Sequence, residues 1–559
     1  MNGRIVIWQI FTRLFGNGSD GNCIPDGTAE ENGCGKFNSY TTEVLEYFRN
    51  QGATHLWFTG ILAHASQTDY SGYGIPTSHG SAVKGKAGSP YAVRDYFDVD
   101  PDLAQSVENR NRELDSLIAR VHSLGMGFIM DFVPNHVARE YHSANRPDGV
   151  ADLGENDDTD VRFSPRNNFY YIPGSGLGGP HNWNGYTENP ARATGNDCFS
   201  PAPSEYDWYE TVKLNYGKDY SDNTCHFDPV PDTWIKMTDI LSFWAAKGID
   251  GFRCDMAEMV PVEFWHYAIP RIKSEYPQVL FIAEIYNPGA YQTYTGYGCF
   301  DYIYDKVGLY DTLRRVITGN ESAAAITGCW QQTGECGDRM LHFLENHDEQ
   351  RIASDFFAGD GESARSAMIV TSCMDNCPVM VYAGQELGER GMDSEGFSGL
   401  DGRTTIFDYW SPDTLHRLYN GGRIDGSRLT DKEKQLQKFY SDILHICSRE
   451  TAITNGRFFD LMYVNPQSPE FNAYRTYAFL RSEGKETLLI VANFDNKTSF
   501  CGISIPLHAF EYLGIAVQER CLFRDLISGY RFEGCFNHIS KVRVNVPAHS
   551  GVILKIECV

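Results

Sequence analysis

The stretch GIDGFRCDMAEM, Gly248 to Met259, carries an apolar run into Arg253 and Asp255, with Glu258 close behind. Residues two apart on a strand share a face. The spacing therefore sets a guanidinium beside a carboxylate where a strand ends. Glu284 closes the run VLFIAEI 29 residues after Asp255, about one βα unit away and so at similar height on the next strand. Asp131 lies in GFIMDFV, followed by Asn135 and His136, and FLENHD brings Asn346, His347 and Asp348 to the end of another run. Any one of these acids is most simply a helix cap or an ion-pair partner. Four acids, two histidines and an arginine at successive strand ends are harder to explain so, because gathered like charges destabilise a fold. Such carboxylates, without a serine triad, a cysteine nucleophile or a phosphate loop, point to glycoside chemistry. One carboxylate attacks the anomeric carbon and a protonated one delivers a proton to the leaving oxygen. A spacing of about 5 Å between neighbouring strand ends favours the retaining route.

These residues need a scaffold that brings strand ends together. Eight short apolar runs, from RIVIWQI near the N-terminus to PVMVYAGQE, alternate with amphipathic segments such as NRNRELDSLIARVHSLG and VEFWHYAIPRIKSEY. That alternation predicts parallel βαβ units, and eight of them close into an α/β (β/α)8 TIM barrel whose chemistry lies at the C-terminal strand ends. A helix from about Asp431 to Ser448 completes it. Residues 1–136 and 231–450 form the two parts of the barrel in this reading. Residues 137–230, rich in Gly, Pro, Asn, Asp and Tyr, form an inserted subdomain after the third strand. Residues 451–559 turn to antiparallel patterning (TYAFLRS, TLLIVANFD, RVNVPAHSGVILKIE) and predict a C-terminal β-sandwich.

Composition narrows the partners. A formal charge of -25 repels nucleic-acid phosphates and anionic lipid surfaces. No apolar run approaches the ~18 residues of a membrane span. Aromatics at 13% suit stacking on sugar rings, although most belong to a core. The 15 cysteines cannot all pair within one chain; Cys23 with Cys34 and Cys329 with Cys336 could close loops, but a reduced, cytoplasmic setting is the expectation. A secretion signal removed beforehand would leave the same N-terminus. Oligomeric state is not readable.

At this point the chain resembles the α-amylase family of retaining α-glucoside enzymes. DFVPNH, GFRCDMAEM, FIAEIY and FLENHD are similar to that family's four ordered motifs, and RLFG and CPVMVYAGQELG to two further stretches. The resemblance implies Asp255 as nucleophile, Glu284 as general acid/base and Asp348 as the group that grips the sugar hydroxyls. It implies that His136 and His347 bind the same sugar, that Arg253 keeps Asp255 ionised, that Asp131 holds Arg253, and that Tyr73, in YSGYG, stacks under the ring. The implied substrate is an α-glucan or oligosaccharide. An α-glucanotransferase or maltosyl-transferring enzyme is the alternative, and a non-catalytic sugar-binding relative the remote one.

Two departures stand out. Many members hold a structural calcium between barrel and insertion, and Asn135 matches one ligand position. TVKLN puts Lys213 at a second, where an ammonium cannot ligate Ca²⁺. The loop after the first strand likewise carries Lys36 where an acid is expected, beside Asp20 and Asp26. No cofactor is required for the chemistry, and no calcium is expected at the interdomain position. Glu258-Met259 stand where many amylases carry Lys-His against the acceptor sugar, so hydrolysis and transfer remain two outcomes of one intermediate.

Overall fold

The computed structural model describes residues 3–19, 22–466 and 468–558. Eight strands, β1 (Val6–Phe11), β2 (His55–Thr59), β3 (Gly127–Phe132), β4 (Gly251–Cys254), β5 (Leu280–Ala283), β6 (Tyr302–Tyr304), β7 (Met340–Phe343) and β8 (Val379–Tyr382), pair in chain order, and β8 closes on β1. All eight are parallel. The runs are apolar throughout because both faces are buried. Ile7, Trp57, Ile129, Ile282, Leu341 and Met380 fill the inside, and helices cover the outside. Helix Thr42–Asn50 starts under Thr41, whose hydroxyl accepts the Val44 amide, and buries Val44, Leu45 and Phe48. The last barrel helix, Asp431–Arg449, opens on a Thr430/Glu433 capping box and buries Leu436, Phe439, Tyr440 and Ile443.

After β3 the chain leaves the barrel. Residues His136–Ala138 pair antiparallel with Thr211–Lys213, which sets His136 opposite Lys213. Buried ion pairs brace the loops beyond: Glu188 meets Arg139 at 3.0 Å and Arg192 at 2.7 Å. Beyond the barrel, Arg457–Asp460, Thr476–Glu483, Glu486–Asn493, Ser550–Cys558, Gln518–Asp525 and Arg531–Phe536 form, in that order, a six-stranded sheet, accompanied by the pair Ser499–Ile503 and Val542–Val546. Buried Arg481 joins this sheet to the barrel: it donates to the Met374 carbonyl and the Asn376 side chain, and on its own side to the carbonyls of Ala452, Ile453 and Gly456 at 3.0, 2.8 and 2.8 Å. Cys23, Cys34, Cys329 and Cys336 are free thiols. No helix of the described residues is long and apolar enough to cross a membrane.

Candidate active site

Asp255 and Glu284 extend the parallel ladder one residue beyond β4 and β5. The Asp255 amide donates to the Phe132 carbonyl at 2.9 Å, and the Glu284 amide to the Cys254 carbonyl at 3.1 Å. Backbone register thus fixes the two carboxyls side by side on the barrel rim. Arg253, two residues before Asp255, shares its face and is fully buried. Its Nη1 donates to Asp255 Oδ1 at 2.9 Å and to Asp131 Oδ1 at 3.3 Å, Nη2 lies 2.8 Å from Glu284 Oε2, and Nε donates to the Tyr304 hydroxyl at 3.2 Å. The rings of Trp57, Tyr91 and Tyr304 surround the guanidinium at 5.4, 5.4 and 5.6 Å, a setting that favours the cation over water. Trp57 Nε1 donates to Asp131 Oδ2 at 3.1 Å. Asp131 is thereby pinned through both oxygens, and with it Arg253.

The two rim carboxyls are held differently. Asp255 Oδ2 is buried without a hydrogen-bond partner. Glu284 Oε2 accepts the Met256 amide at 2.7 Å, and the Tyr286 hydroxyl donates to Oε1 at 2.5 Å. Met256 adopts a left-handed φ of 43°, unusual for a residue with a long side chain. That turn is what aims its amide across to Glu284. Across the barrel, Asn346 Oδ1 accepts the amides of Asp348 and Glu349 at 2.9 and 3.0 Å, and Asp348 Oδ2 lies 3.1 Å from His347 Nε2.

Electrostatics follow from burial. Burial pushes the Asp255 carboxyl well above the ordinary range; Arg253 opposes this, and the charges of Glu284, Asp348 and Asp131 add to it. Burial also lifts Asp131, against Arg253, to about 6. Burial thus raises the carboxyls of Asp255, Asp131 and Asp348 together, with Arg253 opposing each. The histidines go the other way. Burial, then Lys213 and Lys84, bring His136 down to about 3, and burial with Arg253 takes His347 far below its usual value. Both rings stay neutral, and His136, which lines the cavity, can hydrogen-bond a sugar without adding charge. Gln9 Nε2 donates to His347 Nδ1 at 2.8 Å, which leaves the ring proton on Nε2.

Asp255, Glu284, Asp348 and His136 line one cavity of about 230 Å³, with Tyr91, Trp208, Tyr286 and Phe407 among its walls. Arg253, Asp131 and His347 stand behind that wall. Tyr73 is not brought to it. It lies half-exposed on the turn Ser71–Tyr73, its ring 6.4 Å from that of Tyr70. Among the aromatic rings of the cavity, Tyr91 is buried, stacked on His347 at 5.3 Å and bonded through its hydroxyl to His347 Nε2. Tyr91, which does line the cavity, stands 18 residues after Tyr73 in the chain. The usable signal was SPYAVRDY, a tyrosine opening the strand Val93–Val99. Trp208 and the ion pair of Lys84 with Glu210 at 3.0 Å come from irregular loops with no periodic signal. Glu258 does not line the cavity; its carboxylate accepts the amides of Tyr286 and Asn287 at 3.3 and 3.2 Å.

The residues at the interdomain calcium position do not fit a metal. Lys213 is buried, its ammonium 2.7 Å from Asn135 Oδ1 and 2.5 Å from Asp197 Oδ1. The oxygens a cation would need are already bound to a positive charge. Lys36 Nζ donates to the Asp102 carbonyl at 2.5 Å. Asp26 is exposed, and Asp20 lies outside the described residues.

Residues 9–279 match the family described as alpha amylase, catalytic domain. The chain is similar to alpha-amylase MalA of Haloarcula japonica, 24% identical over 91% of this chain and 59% of that protein. It is also similar to a cyclomaltodextrin glucanotransferase of Bacillus licheniformis, 22% identical over 68% of this chain and 49% of the relative. The chain thus spans between half and three fifths of the length of these two curated relatives. A noncanonic maltogenic alpha-amylase, AmyB from Thermotoga neapolitana, has the same fold, with a TM-score of 0.64 and 19% identity over 99% of both chains.

Proposed function

The chain belongs to the α-amylase family of glycoside hydrolases, and from that premise we propose that it cleaves α-1,4 linkages of glucans or maltooligosaccharides with retention. The observation that carries this reading is the single cavity into which Asp255, Glu284 and Asp348 all open. Asp255 is the nucleophile, because its Oδ2 faces the cavity side unencumbered while Oδ1 is anchored on Arg253. Glu284, on the adjacent strand, donates its proton to the leaving oxygen and later takes one from water. Both carboxyls meet terminal nitrogens of one guanidinium, which suits the closer carboxyl spacing, about 5–5.5 Å, of a double displacement. Asp348 and the neutral imidazole of His136 bind the sugar hydroxyls, His347 orients Asp348 and Tyr91 from behind the wall, and Tyr91 supplies the flat face.

Purified protein given maltoheptaose is expected to release shorter maltooligosaccharides whose first-formed reducing ends are α, read by NMR before mutarotation. β products would refute retention. Products longer than seven glucose units would move the assignment to the transferase alternative, which uses the same intermediate with a sugar acceptor. No product from any α-glucan would sink the reading.

We also read Lys213 as the cation that ties insertion to barrel, with no calcium at that place. Added Ca²⁺ is then expected to leave both activity and melting temperature unchanged. Lys213→Met removes the ammonium from Asn135 and Asp197, and should cost about 1–3 kcal/mol of stability, a range for losing a buried hydrogen-bonded charge. A melting temperature raised by added Ca²⁺ would contradict the assignment.

A further inference from the structure

On the outer wall of β7, away from the cavity, lies a second cluster of reactive side chains. His342 alternates with Leu341 and Phe343, which fill the barrel, and so points outward beneath the helices. Its Nε2 has Asp305 Oδ2 at 3.3 Å and Asp375 Oδ2 at 3.8 Å. The nearest ligand atoms of His342, Asp375 and Cys377 all lie within 4.8 Å of one another. His342 is 1% exposed, yet Nε2 makes no hydrogen bond.

The tautomer explains why that nitrogen matters. His342 Nδ1 faces the Thr371 carbonyl at 3.3 Å, an acceptor, so the ring proton belongs on Nδ1. In the neutral ring Nε2 presents a lone pair toward Asp375 and Cys377; against burial, Cys377 and Asp305 raise the imidazole well above its ordinary range, so a cation bound there takes the place of the Nε2 proton. An Nδ1–H bond to a carbonyl is also what fixes a metal-ligating imidazole. In a tetrahedral site with metal–nitrogen and metal–oxygen bonds of about 2.0 Å and a metal–sulfur bond of about 2.3 Å, the ligand atoms stand roughly 3.3–3.8 Å apart. Asp375 Oδ2, 3.8 Å from Nε2, stands beyond hydrogen-bond reach and at the length of a coordination-tetrahedron edge.

The groups around Nε2 are also held in place. Asp305 Oδ1 accepts the Leu309 amide at 2.9 Å, which leaves Oδ2 turned to His342. Arg481 bonds the Met374 carbonyl and the Asn376 side chain, and so pins the loop on both sides of Asp375. Asp375 is partly exposed, which gives an ion a way in. We propose that His342 Nε2, an Asp375 carboxylate oxygen and Cys377 Sγ form a structural site for a divalent d-block cation of the zinc type. One imidazole, one thiolate and one carboxylate supply three donors and leave a fourth position for water, and binding releases the Cys377 thiol proton and the Nε2 proton to solvent. The site joins β7 to the loop entering β8, and it stands independently of the glycosidase reading.

The full-length protein, stripped with a chelator and dialysed, is titrated with Zn²⁺ against a chromophoric indicator and, separately, with Co²⁺. One Zn²⁺ per chain is expected, with a thiolate-to-cobalt charge-transfer band. Cys377→Ser should abolish that band, and His342→Gln should weaken Zn²⁺ binding at least about tenfold, each with folding checked by circular dichroism. If neither variant folds, X-ray absorption at the zinc edge of the wild-type protein must show mixed nitrogen, oxygen and sulfur ligation. Failure of the folded wild-type protein to bind either ion would overturn the site and leave His342 as an imidazolium paired with its acids. A cobalt band retained in Cys377→Ser, or zinc–edge ligation without sulfur, would overturn it equally.

Discussion

Asp255→Ala is expected to abolish turnover, by on the order of 10⁴–10⁶ in kcat, as when a covalent nucleophile is removed, while the protein keeps its melting temperature or gains in it. The stability half of this expectation follows from the burial of Asp255, whose carboxyl is pushed above the ordinary range. Removing a carboxylate from a crowded, desolvated group relieves the charges that remain. Glu284→Gln should lower turnover less, about 10²–10⁴, because a general acid contributes that much, and the loss should depend on the leaving group. A maltosyl fluoride needs no proton to depart, so Glu284→Gln should still form the glycosyl intermediate from it and stall at hydrolysis. Asp255→Ala should do neither. Rapid-quench kinetics and intact mass spectrometry separate the two roles: an added glycosyl mass in Glu284→Gln and none in Asp255→Ala. Wild-type rates in either variant, or the adduct on Asp255→Ala, would reverse the assignment.

The barrel was legible because its signal is redundant. Each of the eight strands is an apolar run bounded by an amphipathic helix, and a parallel sheet covered on both faces leaves no other pattern. Arg253, Asp255 and Glu284 were legible for the same reason, since the period of a strand and the length of a βα unit fix where their side chains emerge. Asp348 and His347 follow from the turn after β7, where Asn346 caps the backbone. The loops gave no such period. Tyr91 reaches the cavity through a strand, Val93–Val99, that pairs outside the barrel with Leu62–His64 and carries bulges in its register. Tyr73 carries the more conspicuous spelling but sits on a short exposed turn. Trp208 and Lys84 depend on how the insertion folds back, which long-range contacts decide. Lys213 was readable as an oddity in sequence, since a cation stood where oxygen was needed. Its bonds to Asn135 and Asp197 required the antiparallel pairing of His136–Ala138 with Thr211–Lys213.

Arg253→Met is the other substitution with a large expected effect, and its result should depend on pH in a stated direction. Arg253 is the one side chain that touches Asp131, Asp255 and Glu284 together. Without it three buried carboxyls face each other with no cation between them, and breaking a buried pair in this way costs about 3–5 kcal/mol. The carboxyls of Asp255 and Asp131 already lie above the ordinary range through burial, with Arg253 the main opposing charge. Loss of the arginine raises both further. A carboxyl raised in the folded state binds protons that the unfolded chain has released, so it destabilises the fold at neutral pH and does so less as the pH falls through its folded value. The deficit of Arg253→Met relative to wild type should therefore be largest near pH 8 and shrink toward pH 5, measured as chemical denaturation midpoints. Activity should move the opposite way. Asp255 must be ionised to attack, so the acid limb of kcat/KM shifts upward, and the optimum loss is roughly 10²–10³ for removal of one oriented charge donor. Arg253→Lys restores one positive charge but cannot reach three carboxyls with a single ammonium; it should recover part of the stability and little of the rate. A stability deficit that grew on acidification, or an acid limb left in place, would mean that Arg253 does not set the ionisation of Asp255.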